Sequence, residues 1–120
     1  ECARGRESDD WVDLNFLGHQ LVLHRVESAA AVVLDANPVD GEHVPVPHFG
    51  VVLDWEVFEA LTERLVAQQC DFVIPPTVRF EGRVGEQKTC FLKDPSGNCL
   101  EFKTFRQPDR LFATDAAAYQ

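Results

Sequence analysis

An α+β fold is predicted by three features of this 120-residue chain. One segment, residues 55–69, has clear helical spacing: Phe58, Leu61 and Leu65 form a stripe flanked by Val57 and Val66. Several shorter segments alternate apolar and polar residues as half-buried strands do. Two β-prone runs, 89–93 and 99–103, flank Asp94-Pro95-Ser96-Gly97-Asn98. That punctuation suits a tight turn, with Pro fixing one φ and Gly or Asn taking a positive one.

The elements follow in order. Residues 11–17 alternate, setting Trp11, Asp13, Asn15 and Leu17 against Val12, Leu14 and Phe16. Gly18 punctuates, residues 20–26 form a second strand, and a hairpin is expected. Residues 30–34 are a third short strand or an apolar connection. Residues 37–47, with three prolines and Gly41, read as a surface loop and as the boundary between two halves. Residues 48–53 are strand-like and end at Asp54, a good N-cap for the helix. A strand begins at 72–74, is interrupted by Pro75-Pro76 and resumes at 78–80; Gly82 and Gly85 then bound a turn. After Pro108 a short helix or a loose end is expected. From His48 onward the order is β-α-β-β-β, whereas upstream there are two or three strands and no leading β-α.

Composition narrows the function. With 45% hydrophobic residues the chain can build a real core as one soluble domain, and its apolar runs are far too short to span a bilayer. The charged N-terminal residues predict no signal peptide, and the absence of methionine predicts processing or further residues before Glu1. A net charge of −9 with 11 Lys plus Arg argues against nucleic acid, and the acidic surface is read as solubility. Cys2, Cys70, Cys90 and Cys99 show no zinc-type spacing, which points to a reducing, cytoplasmic setting.

Few residues carry chemistry. Alternation sends Glu101 to the face opposite Leu100 and Phe102, beside Cys99 and Lys103. It is either solvated or a buried acid with a function, and the strand pattern alone favours the solvated face. His48, entering a strand after Pro47, is a turn residue or a ligand. His19 and His24 lie on opposite faces of one strand; His19 reads as a turn residue, and His24 as a solvated end or a group beside the site. His43 belongs to the surface. Lys103 is a strand end or an anion contact, and Arg79 and Glu86 are substrate contacts or surface ion pairs.

Together, His48-Phe49-Gly50-Val51-Val52, the helix, and Asp94-Pro95-Ser96-Gly97-Asn98-Cys99-Leu100-Glu101-Phe102 resemble the vicinal oxygen chelate superfamily. That superfamily holds glyoxalase I, extradiol dioxygenases, and fosfomycin and bleomycin resistance proteins. The resemblance implies paired βαβββ modules forming a curved mixed sheet around a metal cleft. Residues 1–120 are then one domain, with a first module (1–36) incomplete at its N-terminus and a complete second module (48–105). It also implies that His48 and Glu101 are ligands of a divalent metal (Fe2+, Mn2+, Zn2+ or Ni2+).

Val22 falls where glyoxalase I has a ligating Glu, and Gln20 and His24 share its face. His24 is therefore expected to act catalytically as proton acceptor or hydrogen-bond donor, with Gln20, Arg79 and Lys103 binding substrate. The single tyrosine, Tyr119, stands apart from the site that an extradiol dioxygenase would build. The implied function is a metal-dependent enzyme, of dioxygenase or lyase type, acting on a small molecule with vicinal oxygens. The alternative is a metal-free sequestering protein of the bleomycin-resistance type. A homodimer is expected, since pairing covers open sheet edges.

Overall fold

The computed structural model describes residues 2–27, 35–39 and 41–114. The chain divides into two compact units, Glu1–Ala30 and Ala31–Gln120.

The first unit is an antiparallel sheet of β1 (Ala3–Glu7), β2 (Trp11–Phe16) and β3 (His19–His24), in the order β1-β2-β3. The predicted hairpin is β2–β3, turning at Leu17 and Gly18, which both have positive φ. Asn15 Oδ1 accepts from the Gly18 amide at 2.8 Å and ties the turn to the strand. The register pairs Trp11 with His24, Asp13 with Val22 and Asn15 with Gln20, so these six residues share one face. β1 carries the sequence Ala-Arg-Gly-Arg-Glu and is exposed throughout, so no apolar alternation announced it. The strand or connection considered at 30–34 lies outside the described residues.

The second unit opens with a correction. Residues 37–47 are not an irregular loop: β4 (Asp35–Val39) and β5 (Glu42–Val46) pair as a hairpin, with Gly41 at φ 81°. Its prolines are tolerated because each strand has only the other as a partner in this two-stranded sheet. Val44 of β5 is buried against Ile74, Phe91 and Cys99, and that burial gives the hairpin its place.

From here the order is β6 (Phe49–Val52), α1 (Trp55–Ala67), β7 (Phe72–Arg79), β8 (Gln87–Lys93) and β9 (Cys99–Phe105), the complete βαβββ module. Its sheet runs β6-β9-β8-β7, with β6 parallel to β9 and the other pairs antiparallel. Pro75 and Pro76 do not interrupt β7; they lie on an edge strand, where the register with β8 shifts between Ile74 and Thr77. Asp54 does precede α1, yet its side chain makes no capping bond.

Helix α1 covers one face of this sheet. Its fully buried Phe58 meets the side from which Cys90 and Phe102 project, while Leu61 and Leu65 are half-buried. Two cations fasten its first turn: Arg106 and Lys88 stand 3.8 and 4.9 Å from the Trp55 ring centroid. Lys88 also pairs with Glu59 at 2.6 Å.

Burial pushes the Cys90 thiol up to about 11, with a backbone hydrogen bond from Phe102 opposing the rise, and burial raises Cys99 as well. A thiol whose folded value lies above its unfolded one favours folding less once the unfolded chain ionises. Stability should therefore fall as pH rises from about 9 towards 11. Urea midpoints at several alkaline pH values should show that slope, flattened in Cys90→Ala; an unchanged slope would exclude Cys90 as its source.

Candidate metal and substrate site

Strand alternation builds the site on the face of the four-stranded sheet opposite α1. The Asp94–Asn98 turn fixes the β8–β9 register: the Asp94 amide donates to the Asn98 carbonyl at 2.9 Å, and Gly97 takes φ 89°. Counting back from that turn, Phe91 pairs with Glu101 and Thr89 with Lys103. On the other side of β9, Gly50 pairs with Glu101 and Val52 with Lys103. His48, two residues before Gly50, projects to the same face.

Glu101 and His48 converge. Glu101 Oε2 lies 3.5 Å from His48 Nε2, with the two side chains 13% and 30% exposed. The other ring nitrogen, Nδ1, lies 2.7 Å from the Pro45 carbonyl oxygen. A carbonyl only accepts, so Nδ1 donates to it, and Nε2 is the nitrogen turned towards Glu101. Phe91 stands edge-on to the imidazole, with centroids 5.1 Å apart and planes at 78°. The second carboxylate oxygen, Oε1, accepts from Thr89 Oγ1 at 2.7 Å and pairs with Lys103 Nζ at 3.1 Å. His48, Gly50, Val52, Glu101 and Lys103 line a depression of about 200 Å³.

Gly50 is essential to this geometry. A Cβ there would fall 1.6 Å from the Glu101 carbonyl oxygen, so only glycine lets β6 lie this close to β9.

Within the second unit, Arg79 and Glu86 have other partners. Arg79 is buried and donates to the Val39 carbonyl at 2.7 Å, tying β7 to the β4–β5 hairpin. Glu86 accepts from the Gly82 amide and pairs with Arg106 at 3.2 Å, contacts that hold its carboxyl below its usual range. Gln20 and His24 are exposed on β3 in the first unit. Gln20 borders a groove of about 360 Å³ there, with Arg6, Asp13 and Asn15. His19 also lines that groove, and its Asp13 is already paired with Arg6 at 3.2 Å.

Thr89, Phe91, Gly50 and the Pro45 carbonyl were not foreseen as parts of the site. Thr89 and Phe91 were within reach, because symmetric counting from the Asp94–Asn98 turn places both on the face of Glu101. The Pro45 contact had no signal, since residues 37–47 were read as a loop.

A crystal structure of a glyoxalase/bleomycin resistance protein/dioxygenase from Alicyclobacillus acidocaldarius is 31% identical and superposes with a TM-score of 0.73. The alignment spans 92% of this chain and 78% of that one. The chain belongs to this family. The same fold recurs at 14% identity in the fosfomycin resistance protein FosX of Listeria monocytogenes, with a TM-score of 0.62 over 92% of this chain and 78% of that one. A lactoylglutathione lyase from Agrobacterium tumefaciens gives 14% identity and a TM-score of 0.52, over 86% and 75% of the two chains. No protein-family model and no curated protein sequence matches the chain.

Membership in the glyoxalase/bleomycin resistance/dioxygenase family accords with the vicinal oxygen chelate fold expected from His48, the helix and the closing strand. Among the described residues, no third His, Cys, Asp or Glu joins His48 and Glu101 in a metal-binding group. No helix in the described residues is long and apolar enough to cross a membrane.

Proposed function

We propose that this protein is a divalent-metal-dependent enzyme acting on a small molecule with vicinal oxygens, by dioxygenase- or lyase-type chemistry. The observation that carries the reading is the approach of His48 Nε2 to Glu101 Oε2 at 3.5 Å. That is the spacing of two ligands on one ion, about 3–4 Å for metal bonds near 2 Å. The donor types fit as well: an imidazole whose Nε2 is turned towards the carboxylate, and a carboxylate with one oxygen held by hydrogen bonding. A bound divalent ion would supply Lewis acidity towards adjacent substrate oxygens, with positions left open by a small protein donor set.

The chain's own residues do the rest. Pro45 and Phe91 orient the imidazole, and Thr89 and Lys103 orient the carboxylate. His24 accepts or donates the proton, Gln20 and Lys103 bind substrate oxygens, and Arg79 steadies the hairpin that carries Pro45. The protein is further proposed to be a cytoplasmic homodimer, in which pairing covers sheet edges such as β6 and β7.

The test is metal content of purified protein, with turnover measured on hemithioacetals and catechols. Glu101→Ala should lose both metal and turnover. His24→Ala should keep its metal and lose turnover by about 10²-fold or more, the size of a general acid–base contribution. Equal metal loss in both variants would make His24 a ligand. Sedimentation of the same sample as a stable monomer at micromolar concentration would exclude the dimer.

A second reading is favoured by the Glu101–Lys103 pair, because an ammonium already balances the carboxylate. Under it the protein sequesters a small molecule without metal. Wild-type protein free of metal after purification and unable to take up added Mn2+ would select this reading.

A further inference from the structure

Glu101 divides its two oxygens between different partners. Oε2 faces His48 Nε2 at 3.5 Å, while Oε1 accepts from Thr89 Oγ1 at 2.7 Å and pairs with Lys103 Nζ at 3.1 Å. Glu101 and Lys103 are two residues apart on β9, so strand alternation alone holds them on one face. Thr89 is fully buried, and Glu101 is only 13% exposed. The carboxylate has thus given up most of its water, and a charge so placed needs compensation. Lys103 supplies it.

The same ammonium would stand a few ångströms from any cation seated on Oε2, in a setting where solvent screens charges weakly. We propose that Lys103 is an internal competitor of the divalent ion, stabilising the metal-free site and lowering its affinity for metal. The proposal rests on the reading of His48 and Glu101 as ligands. It assigns Lys103 a role towards Glu101 that precedes any contact with substrate. Lysine suits the role better than arginine, being a point charge on a flexible stem with no bidentate hold on the carboxylate. Its side chain is 28% exposed, which leaves it a direction in which to swing when a cation arrives. Thr89 donates to Oε1, so Oε2 is the oxygen that would be left for a cation.

The experiment is calorimetric titration of metal-free protein with Mn2+, alongside melting temperatures with and without saturating Mn2+. Lys103→Met should bind Mn2+ about tenfold more tightly than wild type, because a like charge beside the ion is removed. Metal-free Lys103→Met should melt about 5 °C lower, and saturating Mn2+ should close that gap. Lys103→Gln should repeat both results, so a folding defect peculiar to methionine would not decide the outcome. Lys103→Arg, which keeps the charge, should stay near wild-type affinity. Unchanged or weaker Mn2+ binding in both neutral variants, with binding abolished in His48→Ala, would overturn the competitor role and leave the metal reading standing. No Mn2+ binding by wild type, Lys103→Met or Lys103→Gln would overturn the metal reading itself and this proposal with it.

Discussion

Gly50→Ala should unfold the edge of the second unit and abolish divalent binding together. The added methyl carbon would sit 1.6 Å from the Glu101 carbonyl oxygen, 2.6 Å from its carbon and 2.9 Å from the Glu101 nitrogen. All three are backbone atoms of β9, which is held on its other side by β8, so no side chain can move aside. The strand pair must separate instead. With it go the parallel register of Phe49 to Val52 against Leu100 to Lys103 and the alignment of His48 with Glu101. We expect a loss of ~3 kcal/mol or more, at the upper end of overpacking effects. Urea denaturation would measure it, with the exposed helix substitution Val57→Ala as a control of small effect. A Gly50→Ala midpoint equal to that of the control would mean that β6 and β9 have slack that this geometry denies.

Phe91→Ala should be comparably damaging for a different reason. Phe91 is 1% exposed and packs with Val44, Ile74 and Cys99, so its removal leaves a cavity costing about 3–5 kcal/mol. It also removes the ring that stands edge-on to His48. The informative comparison is Phe58→Ala, since Phe58 is equally buried but belongs to α1, on the opposite sheet face. Both variants should lose stability by similar amounts. Under conditions where both remain folded, only Phe91→Ala should weaken Mn2+ binding. Equal binding by the two variants would show that the imidazole is held by Pro45 alone.

The legible parts of the fold were those with a strong local period or strong turn chemistry. The α1 stripe, the β2–β3 alternation and the Asp94–Asn98 turn each announce themselves within a few residues. From the last of these, the face of Glu101 follows by counting. The β4–β5 hairpin was misread because its prolines mimic loop composition, and its stability comes from Val44 reaching a core assembled by distant residues. β1 has no buried side chain at all, so it exists through backbone pairing that sequence periodicity does not record. In the site, the ligand pair was inferred from resemblance, whereas strand pattern alone placed Glu101 in solvent. The pattern erred because it cannot see Thr89, Lys103 and the imidazole, which make near-burial of that carboxylate tolerable.

The parallel pairing of β6 with β9 has a kinetic consequence. It joins Phe49 to Leu100 across the whole of α1, β7 and β8, so this contact closes a loop of about 50 residues. Turns and hairpins of short span form well ahead of such a contact, and the approach of His48 to Glu101 should be among the last native features acquired during refolding. The order reverses on opening. β6 has four residues and, among the described strands, one neighbour, so its amides should exchange with solvent by a local opening cheaper than global unfolding. An ion bridging His48 to Glu101 would then act as a clasp on that strand, and the exchange protection of Phe49 to Val52 would rise with metal concentration while that of β8 stayed constant.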